Sequence, residues 1–356
     1  MADDLVGTLD QLTSVLKTKM YNGSTLPPIF IFSESYGGKV APVFGSKIVE
    51  AQAKGKLSDV ILGGVAIGDG AVSMMDAGMT YPDYLWQTSQ IDIVQWQNLT
   101  LIATAMEMSY SWGDFHTANT MLSVLMGSIA NMTDDVFFYN IIYHHQPSPS
   151  LKADTEAHME ALGRVRSLIT QYPNMTRHEQ RKMVKELEAQ IKLENPMKKL
   201  TIDYNGANVK ELMNKQMRKK FGIIPKNVKW GSQALECYMH LADELIIDVI
   251  ESVDACLNDG VRVIVYNGML DFIINSVGQD KWISKLGWSD LKNYYESPRV
   301  PLYAPSQAKD QRTGAFYKGY KNLEYYWMLM SGHMVPIDAP EMSLEMLRRI
   351  LNDVRY

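Results

Sequence analysis

Pro28-Ile29-Phe30-Ile31-Phe32-Ser33-Glu34-Ser35-Tyr36-Gly37-Gly38-Lys39 is the stretch whose reading decides the fold. Pro28 to Ser33 is an unbroken apolar run, the pattern of a strand covered on both faces. The pair Gly37 and Gly38 lets the chain turn, and Val40, Val43, Phe44, Ile48 and Ala51 then lay an apolar stripe along a helix that Gly55 stops. Ile61 to Gly68 is a second buried strand. Strand, helix and strand make a right-handed parallel unit, so the spacing predicts an α/β fold with a mostly parallel sheet flanked by helices.

Working outward, Leu5 to Leu16 reads as one helix before that unit. From Ser73 to about Asn227 the pattern turns helical and rich in Met, Trp and Tyr, with a loop around His144 to Ser150 and a charged helix from Arg177 to Lys192. Helices inserted between sheet strands read as a cap over the carboxyl edge. The expected organisation is therefore a core from 1–72 and 228–356 with a helical insertion from 73–227. The core resumes with a helix from Leu235 to Leu257, a strand from Val261 to Tyr266, a β-rich stretch from Thr313 to Met330 whose two runs flank Gly319, and a last helix from Glu341 to Leu351.

Composition limits the partners. With 356 residues, 46% hydrophobic and 21% charged, the chain can bury a large core, and its net charge of −5 offers no field for nucleic acid. No apolar run approaches the roughly 20 residues of a membrane span. Residues 1–12 carry Asp3, Asp4 and Asp10 and lack the basic start and apolar stretch of a signal peptide. Cys237 and Cys256, on one predicted helix, would stand about 28 Å apart at 1.5 Å per residue, too far to pair. Both read as inert thiols.

Three loops carry chemistry. Ser33-Glu34-Ser35-Tyr36-Gly37 sits where a strand becomes a helix, the turn that lifts a nucleophilic hydroxyl above a sheet, although Ser33 stands where that pattern has glycine and the pentapeptide alone fits a plain turn equally well. Asn267-Gly268-Met269-Leu270-Asp271 follows directly on a strand, at the edge where parallel sheets hold their sites. Ser331-Gly332-His333-Met334-Val335-Pro336 follows the β-rich run. The chain order Ser35, Asp271, His333 is that of α/β-hydrolases.

Phe30 to Lys39, Gly64-Val65-Ala66-Ile67-Gly68-Asp69, Val265 to Asp271 and Gly332 to Pro336 together resemble the signature blocks of the serine carboxypeptidases, in register along nearly the whole chain. The resemblance implies an α/β-hydrolase fold and an exopeptidase that removes C-terminal residues from peptides or proteins, best at acidic pH, in a secreted or lysosomal setting. It implies Ser35 as nucleophile, His333 as general base and Asp271 as the residue that orients the imidazole. Tyr36 N–H would be an oxyanion donor, and Glu34, protonated, would bind the substrate carboxylate. Met334 would line the pocket beside the scissile bond or simply pack. The family also has strands and a glycine-rich loop ahead of the nucleophile. Only 34 residues precede Ser35 here and no Asn-Gly-Gly-Pro-Gly segment occurs, so an N-terminally shortened member with impaired activity is expected.

No cofactor or metal is expected. His144 and His145 are adjacent in a Pro/Ser loop without a carboxylate or thiol cluster. Met217 to Lys220 with Lys226 and Lys229 reads as a solvated basic face. Sequons at Asn22, Asn98, Asn131 and Asn174 lean toward a secretory history. Against a serine carboxypeptidase stand an inactive relative that binds peptides or partners and, more remotely, a cytosolic esterase.

Overall fold

The computed structural model describes residues 2–21, 26–144, 176, 178–179, 182, 206–231, 235–308 and 312–352. The elements begin with α1 (Ala2–Lys19), β1 (Ile29–Glu34), α2 (Gly37–Ala53), β2 (Leu62–Gly68), α3 (Met74–Gln87), α4 (Ile93–Ser111) and α5 (Phe115–Met132). They continue with α6 (Leu235–Ile246), α7 (Ile250–Asn258), β3 (Val263–Gly268), α8 (Ser276–Ile283), α9 (Leu291–Glu296) and β4 (Val300–Leu302). A hairpin of β5 (Ala315–Tyr320) and β6 (Leu323–Met328) precedes α10 (Pro340–Asn352). No helix among the described residues is long and apolar enough to cross a membrane.

The chain divides into two compact units. One comprises Met1–Thr100, Thr133–Pro147 and Ile247–Tyr356, the other Leu101–Met132 and Ser148–Ile246. The division therefore falls at other residues than the 73–227 insertion expected from sequence, with α3 in the first unit, packed on α8. In the second unit α5 packs on α6, and residues 206–221 form a helical run with a π-helical turn at Leu212–Met217. The expected loop beyond His144, most of the charged helix from Arg177 to Lys192, and the sequons at Asn22 and Asn174 lie outside the described residues.

The first unit is built on one six-stranded sheet in the order β1-β2-β3-β6-β5-β4. β1, β2, β3 and β6 run parallel, while β5 and β4 add antiparallel pairings at one edge. Residues alternate between faces, as the strand period requires. Val65, Ile67, Val263, Val265, Tyr325 and Trp327 meet Ala41 of α2 and Val253, Cys256 and Leu257 of α7. Ala66, Ile264, Tyr266, Tyr326 and Met328 meet Met342, Met346 and Ile350 of α10. α1 covers Ile48, Ala51, Leu57 and Val60 with Leu9. Gly55, at φ +77°, ends α2 where the sequence places its stop.

Two expectations are corrected. The helix expected from Leu235 to Leu257 is two, broken at residues 247–249 by two tertiary contacts, Lys39 Nζ donating to Ile247 O and Val249 N–H donating to Val72 O at 3.0 Å, with a local one in which Asp248 Oδ1 accepts from Ile250 N–H at 3.2 Å. The rise-per-residue argument across Cys237 and Cys256 therefore lapses. Cys256 is a buried free thiol pushed up to about 12 chiefly by burial, while the Cys237 side chain lies outside the described residues. The β-rich stretch turns not at Gly319, which is inside β5, but at Lys321 and Asn322, with Lys321 at φ +48°.

Arg262, just ahead of β3, ties α10 to the sheet. Its Nε donates to Glu324 Oε1 at 2.5 Å and its Nη1 to Ile350 O at 2.8 Å, and Glu324 Oε2 accepts from Tyr326 OH. Glu324 is buried, so Arg262→Met leaves a charge without a counter-ion. We expect a loss of about 3–5 kcal/mol, read as a lower urea midpoint, with a smaller loss when Glu324→Gln is added.

Candidate active site

Parallel strands end on the same side, so β1, β2, β3 and β6 bring the loops that follow them to one edge. Along that edge stand Ser35 after β1, Asp69 after β2, Asp271 after β3 and His333 after β6. The order is spatial, set by strand pairing, although the four residues span most of the chain.

Ser35 sits at φ +59°, in the left-handed region that non-glycine residues rarely occupy. The conformation is held from both sides: Ser35 N–H donates to Gly68 O at 3.0 Å, and Ser35 O accepts from Ala71 N–H and Gly38 N–H, both at 2.9 Å. The turn works only if strand and helix approach closely. A Cβ on Gly38 would lie 2.5 Å from Gly70 Cα and 2.6 Å from Ala71 N, both backbone. Tyr36 is the N-cap residue of α2, so its N–H stands at the positive end of the helix, next after Ser35.

His333 and Asp271 are buried, and His333 Nδ1 lies 2.8 Å from Asp271 Oδ2. A carboxylate only accepts, so Nδ1 carries the hydrogen and Nε2 of the neutral ring is left as the base. The segment 137–141 stitches the two loops together. Phe138 O accepts from Phe272 N–H and Ile273 N–H, Leu270 O from Ile141 N–H, and Tyr139 O from His333 N–H at 2.7 Å. The Tyr139 ring also lies against the imidazole, with centroids 4.6 Å apart. Asp338 Oδ2 fixes the same loop by accepting from Gly332 N–H and Asn140 Nδ2. No hydrogen bond joins Ser35 Oγ to His333 Nε2, a contact that commonly tightens only when substrate is bound.

Burial sets the electrostatics. It lowers the His333 pKa from the ordinary histidine value, keeping the ring neutral to lower pH, while nearby carboxylates oppose the shift. Glu34 is raised by burial, opposed by the charge of His333, and so holds its proton to higher pH than an exposed glutamate. Met334 is half-buried beside His333. Asp69, Asp271 and His333 are the described residues whose ligand atoms, all within 4.8 Å, could face a common cation. His333 Nδ1 and Asp271 Oδ2 are already directed at each other.

Comparison with known proteins places the chain. The model of the serine carboxypeptidases matches residues 16–353. The chain belongs to the serine carboxypeptidase family. The human (Homo sapiens) retinoid-inducible serine carboxypeptidase is 30% identical over 98% of this chain and 70% of its own length, and the Rattus norvegicus protein of that name is 32% identical over 91% and 64%. Serine carboxypeptidase-like 51 of Arabidopsis thaliana is 30% identical over 98% and 69%. In fold, the chain is similar to the crystal structure of Kex1(delta)p, a prohormone-processing carboxypeptidase from Saccharomyces cerevisiae, with a TM-score of 0.65 at 17% identity over 99% of this chain and 67% of that one. The chain thus spans about two thirds of the length of the relatives it matches.

Two residues of this candidate site are missed by sequence reasoning. Tyr139 comes from a loop without periodicity, and no signal in the sequence marks it. Asp69 closes the Gly64–Asp69 block, and its place after a buried strand, like that of Asp271, is the available signal. Gly38→Ala is expected to cost about 1–3 kcal/mol, because the clashing atoms are backbone and cannot swing away. An unchanged urea midpoint would contradict the close approach.

Proposed function

We propose that this chain hydrolyses the last peptide bond of peptides or proteins through an acyl-Ser35 intermediate. The reading rests chiefly on the buried 2.8 Å His333–Asp271 pair at the same sheet edge as a serine held at φ +59°. Ser35 Oγ attacks the scissile carbonyl carbon while its proton passes to His333 Nε2. Asp271 accepts from Nδ1 throughout and stabilises the imidazolium. The tetrahedral oxyanion draws on Tyr36 N–H at the head of α2. Collapse breaks the C–N bond, and His333 returns the proton to the leaving amine. Water then repeats the sequence on the ester and regenerates Ser35.

Glu34 supplies the exopeptidase character. Next to the nucleophile and carrying its proton, it can donate to the substrate's terminal carboxylate, which an ionised Glu34 would repel. Met334 lines the pocket for the residue before the scissile bond. The resemblance and the sequons support a secreted or lysosomal setting, where acidity matches both pKa shifts.

The sign of each shift gives the pH profile. His333, lowered, acts as a base to below about pH 6.5, and Glu34, raised, keeps its proton above its ordinary value near 4.5. Activity falls in acid as His333 protonates and falls again as Glu34 ionises. Glu34→Gln donates at every pH, so its alkaline limb should move upward. Amidating the substrate's C-terminus should cost about 10- to 100-fold in kcat/KM, the worth of a charged hydrogen bond. With a blocked dipeptide, Ser35→Ala should lower kcat by about 10⁴-fold or more. A variant as active as the parent would end the proposal. The missing Ser35–His333 hydrogen bond favours a second reading, a relative that captures peptide C-termini without cleaving them. Saturable binding with no amino acid released by the parent chain would establish it.

A further inference from the structure

Asp69 has no assigned part in the reaction, yet it is fully buried at φ +40° beside Asp271 and His333. Its Oδ1 accepts from Gly268 N–H at 2.8 Å and from Asn267 Nδ2 at 2.5 Å. Asn267 is itself held by Ile274 O, so the orientation of the carboxyl group is fixed. Oδ2 is the unexplained atom. It is buried and no donor reaches it. Asp69 and Asp271 bring carboxylate oxygens within 4.8 Å of each other; two ionised carboxylates that close, out of water, repel, and an unsatisfied buried carboxylate oxygen adds a desolvation cost.

One proton removes both costs. We propose that Asp69 is a neutral carboxylic acid whose Oδ2–H donates to the Asp271 carboxylate, making Asp69 a positioning residue that holds Asp271 in line with His333 Nδ1. Asp271 then accepts from Asp69 on one side and from His333 on the other, while its Oδ1 also takes Ile274 N–H at 3.3 Å. The assignment of the proton follows from the partners. Asp271 faces the donors of His333 and Ile274, whereas Asp69 Oδ2 faces none. The electrostatics agree: burial and then the charge of Asp271 raise the Asp69 pKa against His333 and the Gly268 N–H, whereas Asp271, also raised by burial, is drawn back down first by its hydrogen bond with Asp69, and Tyr266 and Tyr325 are kept neutral by burial. A protonated acid adds no second negative charge beneath the imidazole, so His333 keeps a low pKa and stays a free base in acid.

The proposal rests on the reading of Asp271 and His333 as catalytic, but its first test needs no activity. Infrared difference spectra of the full chain at about pH 8 should show the carbonyl stretch of a buried carboxylic acid, sensitive to deuteration, in a Glu34→Gln background, which removes one of the two other carboxyls of the site that burial raises, Asp271 being the second. The band should vanish when Asp69→Asn is added. No such band, or a band that survives Asp69→Asn, overturns the proposal whatever the chain catalyses. So does a stoichiometric metal ion that is lost with Asp69→Asn. If the chain is active, Asp69→Leu should lower kcat by up to about 10²-fold with little change in KM. Asp69→Asn, whose amide donates as the acid does, should recover most of that loss and leave the acid limb of kcat/KM in place. A limb shifted down by about one unit or more would mean that Asp69 is ionised.

Discussion

The hydrogen bond from His333 Nδ1 to Asp271 Oδ2 is the contact on which the arrangement of the carboxyl edge depends. Both groups are out of water, so neither could sit there alone: the carboxylate would lose its hydration without compensation, and the imidazole would turn or change tautomer. Together they define one face of the site. The sheet makes the pairing possible, because β3 and β6 are hydrogen-bonded neighbours running in the same direction and their following loops emerge side by side. The 137–141 segment closes over both loops with backbone hydrogen bonds rather than with side chains alone. The site is therefore built into main-chain geometry, and single side-chain changes at its rim should move it little.

Local strain is concentrated where this edge is assembled. Ser35 and Asp69 both occupy left-handed backbone conformations, each immediately after a parallel strand. Such conformations persist only where their surroundings over-determine them. Here Gly68 O at the end of β2 and Ala71 N–H just beyond it do so for Ser35, while Tyr266 O and Gly268 N–H of β3 do so for Asp69. Each strand thus constrains the loop after its neighbour, and strain in one loop is held by pairing in the next. The core on both faces of the sheet, from Val65 and Val265 on one side to Ile264 and Met328 on the other, keeps that register.

Much of this was legible in the sequence, for identifiable reasons. Buried parallel strands are continuous apolar runs, so β1, β2 and β3 announce themselves, and the order Ser35, Asp271, His333 marks the candidate site as soon as each is seen to follow a strand. What could not be read was set by tertiary partners. The periodicity from Leu235 to Leu257 runs straight through the break at 247–249, because Val72 O and Lys39 Nζ, which stop the helix, are remote in sequence. β4 is three residues long and contains Pro301, which a local reading discounts. Tyr139 and Asp69 acquire their roles only when the strand order is known, since nothing local distinguishes a tyrosine in a loop or an aspartate after a strand.

The proposed chemistry requires that His333 and Asp271 activate Ser35. Reaction of the full chain with a fluorophosphonate, followed by peptide mapping, tests this without any choice of peptide substrate. One adduct per chain on Ser35 is expected, formed slowly in His333→Ala and absent in Ser35→Ala. Modification of other residues alone, or labelling of Ser35→Ala to the same extent as the parent, would contradict it.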